Sequence, residues 1–337
     1  MMSRLPWPLV FQVVGVAAAV WLVVHTWQLW FLAFTALIVA AAILPAARFG
    51  ERYRVPRAGT VLVVYVVVVG VFVLMGRLLW PALSEQWQQF TAQLPRLLEN
   101  LKQWLGNLDF FVGQWGGSLP APDPEKLREL AGPLIANTLR VTAGALGAVL
   151  GLLTIVVLSA YIVIDAERLG RGFLALLPPA ERRIAAGLGR PVLDVIGAYV
   201  RGQMAVSFCV GVVLAIGLSL LGVRYALLIG ALAAVFNVVP FVGSLVASLL
   251  GILSALGESV TLAIWTALLF WGTNAFEGKV LVPQLVGRAT GLHPLAVLFA
   301  LLTGAHLAGL IGALVAVPFV AAAWEIVQAL YLRPRRS

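Results

Sequence analysis

Charge is what this chain most lacks. Of its 337 residues, 11% are charged and 61% are hydrophobic, and the mean hydropathy is +1.00. A water-soluble domain carries roughly a quarter of its residues as charges because its surface must stay hydrated. A soluble globular protein is therefore excluded. Cysteine is scarcer still. Cys209 stands alone inside an apolar run, so there is no disulfide framework and no cysteine metal centre. Also missing are an H-E-x-x-H zinc pair, a G-x-S-G-type serine motif and a Gly-rich phosphate loop ending in Lys-Ser/Thr. The chain reads as a non-enzyme without cofactor or metal, and any transport would draw on an ion gradient or run downhill. The first apolar run has no small-residue cleavage site, so no cleavable signal peptide is expected.

What the chain has in abundance is apolar length. Runs extend over Trp7–Val24, Leu29–Ala47, Ala58–Trp80, Val141–Ile164, Gln203–Gly222, Tyr225–Gly257, Val260–Phe276 and Pro294–Leu330. Several reach the 18 to 25 residues or so that a helix needs to cross about 30 Å of hydrocarbon. The expected fold class is an all-α polytopic membrane protein with about seven to eight transmembrane segments, its principal partner the lipid bilayer.

The excess of 23 Lys+Arg over 14 Asp+Glu is a topology signal. Arg48, Arg52, Arg54 and Arg57 share one short loop; Arg168, Arg171, Arg182, Arg183 and Arg190 share another; Arg333, Arg335 and Arg336 close the tail. They form no continuous basic face for nucleic acid, and basic loops beside spans mark the cytoplasmic side. Both termini are then cytoplasmic, and the first two runs form a hairpin turning at His25–Gln28. Residues 81–140, with five basic and six acidic residues, fit the outside.

In that external segment Leu83, Trp87, Phe90, Leu94, Leu97, Leu101, Trp104 and Leu108 alternate steps of four and three, a heptad stripe on one helical face. Pro95 predicts a kink or two helices. The stripe suits either an interfacial helix at the headgroups or packing against a neighbouring subunit.

Tyr225–Gly257 is too long for one span and is broken at Pro240, while Pro294–Leu330 is broken at Gly304–Gly309. The two match at an offset of 69 residues: Gly222 with Gly291, Ala231 with Ala300, Leu232 with Leu301, and Gly243 with Gly312, which sets Asn237 opposite His306. With the tail inside, an odd number of crossings must follow the fifth span, so both breaks must be treated alike. Two re-entrant hairpins around one clean span would form an inverted repeat. Non-helical backbone at membrane depth is tolerated only where protein or a water-filled cavity covers it, and paired broken helices build substrate sites in many secondary transporters.

These residues resemble the autoinducer-2 exporter family of bacterial membrane proteins. The likeness rests on "AYVRGQ" (Ala198–Gln203), "NVVPFVGSLV" (Asn237–Val246), "FEGKVLVPQLVGRATGLHPLAVLFALLTG" (Phe276–Gly304) and "GLIGALVAVP" (Gly309–Pro318). One departure is Phe241, where that family frequently has tyrosine. The resemblance implies an inner-membrane secondary transporter that exports a small polar molecule, or exchanges Na+ (or Li+) for H+. It also implies a homo-oligomer, a pentamer by the same likeness. A non-transporting membrane scaffold is the alternative from another class.

Substrate or ion-binding candidates are Asn237, Pro240, Gly243, Ser244, Asn274, Glu277, Lys279 and His306. Ionisable groups near hydrocarbon are costly and mark function; amides and hydroxyls coordinate cations or polar solutes. Lys279 or Arg288 is a possible neutralising partner of Glu277. Hinge positions are expected at Pro283, Gly287, Gly291, Pro294, Gly304, Gly309, Gly312 and Pro318. Asp194 and Arg201 are expected to anchor the fifth span at the cytoplasmic face. The organisation is then a scaffold over 1–80, the external segment 81–140, the fourth span and basic loop 141–202, and a transport core 203–337.

Overall fold

The computed structural model describes residues 14, 15, 18, 21, 22, 24–113, 150–286 and 291–332. Among them all regular structure is helical. Helix α1 (Trp27–Arg52) is followed by α2 (Arg57–Gly113). Helix α3 (Leu150–Ile164) meets α4 (Ala166–Ala175) at 78°. Then come α5 (Pro179–Leu220), α6 (Ala226–Phe236), α7 (Val242–Leu256) and α8 (Val260–Phe276). A π-helical segment, Glu277–Val286, leads to α9 (Pro294–Val327) and a final π-helical turn, Gln328–Leu332. By length and composition α1, α2, α5 and α9 can each cross a membrane, and the bent α3–α4 pair makes a fifth.

Local chemistry explains several boundaries. Pro179 and Pro294 open α5 and α9 in the first helical turn, where a missing N–H costs nothing. Ser259 caps α8 by accepting from the Leu262 amide, and His293 caps α9 by accepting from that of Leu295. The hairpin turn expected over His25–Gln28 is not formed: Thr26 is the one non-helical residue within 24–52, and the helical bonding pattern continues across it. Its N–H donates to the Leu22 carbonyl and its own carbonyl accepts from Leu29 and Trp30.

Helix α5 is the hub. At 1.5 Å per residue it is about 63 Å long, twice the hydrocarbon thickness. Small residues let its neighbours approach closely: a Cβ on Gly211 would strike Ala234 of α6, and one on Gly197 would strike the Ala41 carbonyl of α1. Ile38, Ala41, Ile196, Val315 and Ala322 close the α1–α5–α9 interface. Arg201 adds hydrogen bonds to the carbonyls of Ala41 and Ala42, whereas Asp194 pairs with Arg48 and Arg190. The two expected anchors thus both fasten α5, each through a different partner.

Helix α2 corrects both readings of the heptad stripe. It runs without interruption through Pro81 and Pro95, about 85 Å in all. Its first part leaves Leu62, Val66, Phe72 and Leu78 bare, as a lipid-facing span does. Beyond it, Phe90, Leu94 and Leu97 are buried within this same chain, alongside Tyr225, Leu228 and Leu253, with Leu83, Trp87 and Leu101 packed at the margin. Phe90 meets Tyr225 edge-on, Gln86 accepts from the Leu228 amide and Gln93 accepts from Arg224. The stripe's partner is the pair of turns flanking α6 and α7. The side chains of Trp104 and Leu108 lie outside the described residues.

Both breaks are chain reversals. Arg224, before α6, is salt-bridged to Glu258, after α7, at 3.3 Å, and the Arg224 carbonyl accepts from Ser254. The two ends of the α6–α7 pair therefore lie together, with the break at the far end. In α9 the helical dihedrals fail at Ala308 (φ −143°, ψ 26°) and Gly309 (φ 61°, ψ −146°). Gly304 and Gly312 would stand about 12 Å apart in a straight helix. Instead the carbonyl of each sits where the other's Cβ would be, so the two arms fold back on one another.

Candidate functional site

The α6–α7 break is where backbone and side-chain polarity converge. Asn237 ends α6, and Phe241 opens α7 in the left-handed region at φ 68°. A non-glycine residue there is held against its own preference by what surrounds it. Gly243 makes the tight return possible, because a Cβ on it would lie 2.3 Å from the Asn237 nitrogen. The reversal presses the first turn of α7 onto the last residue of α6.

Asn237 is fully buried, and two side chains bond to it. Its side-chain Nδ2 donates to Glu277 Oε1 at 2.9 Å. Its backbone carbonyl, freed from the helix by the break, accepts from Gln203 Nε2 of α5 at 2.7 Å. Its Oδ1 is buried with no hydrogen-bond partner. One helical turn beyond Gln203 on the same face of α5, the Ser207 hydroxyl is also buried and unpartnered. A turn before Glu277, Thr273 is buried on α8.

Glu277 is half-buried at the junction of α8 and the π-helical segment. Among the described residues it makes no ion pair, and Asn237 is its hydrogen-bond donor. Lys279 is exposed and does not reach it; Arg288 lies outside the described residues. A carboxylate in this setting is stabilised by one neutral donor, so it can be neutralised by a proton or a cation. The unpartnered oxygens of Asn237 and Ser207 are groups that can hold a polar guest.

The other expected residues divide. Pro240 sits in the break, half-buried, and the Ser244 hydroxyl donates to the Phe241 carbonyl, a local turn contact. Asn274 and His306 are exposed. His306 lies beside the second break and is not brought to Asn237 or Glu277. Of the hinges, Gly291 (φ 54°) and Gly309 (φ 61°) adopt positive φ, while Gly304 and Gly312 are the contact point of the α9 arms. Pro283 lies inside the π-helical segment and Pro318 is fully buried in the second arm of α9. Gly287 lies outside the described residues, and Pro294 is described only as the first helical position of α9.

Sequence reasoning missed Gln203 and Ser207. Gln203 opens an apolar run and closes the stretch Ala198–Gln203; a side-chain amide at the start of a membrane-length run is the signal that marks it.

The profile described as AI-2E family transporter matches residues 9–332. The chain is 27% identical over 315 residues to YrrI of Bacillus subtilis (strain 168), covering 89% of this chain and 86% of that one. It is 23% identical over 304 residues to YueF of the same organism, covering 86% and 79%. It is 28% identical over 292 residues to the AI-2 transport protein TqsA of Escherichia coli (strain K12), covering 84% and 79%.

Proposed function

The chain belongs to the AI-2E transporter family, and on that footing we propose that it is a secondary transporter that exports a small polar molecule by alternating access. The observation that carries this reading is the buried chain from Gln203 through Asn237 to Glu277, which ties the tip of a broken hairpin to a scaffold helix and to a carboxylate. Polar groups of this kind, set where helical backbone is interrupted, are what a solute or ion site inside a bilayer requires. In this reading α6–α7 and the α9 hairpin move against α1, α2 and α5. The solute class is that of an autoinducer-2-like signal or related polar metabolite, in keeping with the name of the E. coli relative.

The two hairpins enter from opposite faces as an inverted repeat, giving seven to eight membrane-embedded segments. Three features support this pairing: Gly222 and Gly291 both take positive φ ahead of their hairpins, Gly243 and Gly312 both meet the opposite arm, and both breaks reverse the chain. The protein sits in the inner membrane as a homo-oligomer with both termini cytoplasmic.

Glu277 favours a second reading, exchange of Na+ for H+, because a carboxylate with one neutral donor and an unpartnered amide oxygen beside it can alternate between proton and cation. Purified protein in proteoliposomes separates the two. Solute efflux that is lost in Glu277→Gln supports the exporter; sodium-dependent proton movement with the same sensitivity supports the exchanger. Wild-type levels of both in Glu277→Gln would overturn the role given to this site.

A further inference from the structure

Helix α4 stands outside every packed cluster. It leaves α3 at 78°, and none of its residues is buried. Yet it is firmly held at both ends. Near its start Glu167 is salt-bridged to Arg57, which also binds Glu51 in the last turn of α1. At its end the Arg182 guanidinium donates to the carbonyls of Leu174 (2.9 Å), Ala175 (3.3 Å) and Leu177 (3.2 Å). These include acceptors that the terminating helix leaves without intrahelical donors. A helix fixed in this way presents its surface in a set direction.

That surface is two-sided. Leu169, Phe173 and Leu176 follow at steps of four and three and are 51%, 63% and 84% exposed, a bare apolar ridge. Glu167, Arg168 and Arg171 occupy the opposite arc, and Arg183 follows in the first turn of α5. Arg168, Arg171 and Arg183 are exposed and form no ion pair among the described residues. A helix nearly perpendicular to the span before it lies close to the membrane plane, at the depth where that span ends.

We propose that α4 is an interfacial helix that seats Leu169, Phe173 and Leu176 at the acyl boundary of the cytoplasmic leaflet while Arg168, Arg171 and Arg183 hold anionic phospholipid headgroups. The cytoplasmic side follows from the basic loops read from the sequence. An apolar ridge flanked by arginines is the pattern that binds anionic lipid surfaces, through buried apolar area together with charge attraction.

The test uses the full chain with Cys209→Ala and Phe173→Cys, labelled with bimane and reconstituted in phosphatidylcholine vesicles with or without phosphatidylglycerol. Quenching by lipids spin-labelled near the headgroup, with little quenching by aqueous iodide, is expected. Phosphatidylglycerol should strengthen it, and Arg168→Gln/Arg171→Gln/Arg183→Gln should remove that strengthening. Quenching by iodide alone would place the ridge in water, and shielding from both quenchers would place it under a second copy; either result overturns the proposal. If phosphatidylglycerol acts equally on the triple variant, the headgroup role of these arginines is wrong.

Discussion

The break at Asn237–Phe241 and the break at Ala308–Gly309 share a backbone plan and differ in what fills it. Each follows a positive-φ glycine, Gly222 or Gly291, and each brings a glycine of the second arm, Gly243 or Gly312, against the first. At the first break the residue pressed by that glycine is a buried asparagine bound to Gln203 and Glu277. At the second, the glycine meets another glycine, and His306 and Leu307 are exposed. The same reversal therefore serves two purposes. One hairpin tip carries polar groups into the protein, and the other turns its side chains, His306 and Leu307, outward. Close packing of small residues is sufficient to reverse a chain in an apolar setting; only the first break adds groups that a polar guest can use.

The comparison breaks hardest at Asn237 and Glu277. Glu277→Gln is expected to lower transport by about tenfold or more, while His306→Gln leaves it near wild type, both read as flux in proteoliposomes. Asn237→Ala removes a hydrogen bond to a carboxylate and is expected to cost about 1.5–3 kcal/mol at the site. Equal loss from the His306 and Glu277 variants would make the two breaks functionally equivalent.

Gly243→Val and Gly312→Val test what the breaks share. Each places a branched side chain on the opposite arm, an overpacking cost of about 1–3 kcal/mol, measured as a fall in thermal midpoint of the detergent-solubilised protein. The two falls are expected to be similar, since the added Cβ would lie 2.3 Å from Asn237 N and 2.0 Å from Gly304 O. A fall in only one would show that the reversals are not of one kind.

Gln203→Leu sharpens the first break alone. It leaves the Asn237 carbonyl without its donor, about 1 kcal/mol, and should reduce transport less than Asn237→Ala does. The smallest effect is expected for Ser244→Ala, within about 0.5 kcal/mol in stability, because its hydroxyl makes only a local turn contact.

Much of this is legible in the sequence alone. Missing charge and long apolar runs established a helical membrane protein, and Pro240 and the Gly304–Gly309 stretch located both breaks. Asn237 and Glu277 were both visible as polar residues out of place. Their meeting was not, because they lie 40 residues apart and Gln203 a further 34 on the other side, and periodicity reports only local geometry. For the same reason the stripe from Leu83 to Leu101 revealed its apolar face but not its occupant, which is the base of the first hairpin. His306 is an ionisable group at a break and stands opposite Asn237 in the alignment of the two arms. The fold matches those arms in backbone and not in chemistry.

The most direct test is a double-mutant cycle on transport, with Asn237→Ala, Glu277→Gln and the two combined measured as initial flux at equal reconstituted protein. If the contact between them is the coupling point, the double variant is no worse than the more damaged single variant, since either change already breaks the pair. Losses that multiply independently, or a Glu277→Gln protein that transports like wild type, would contradict the account.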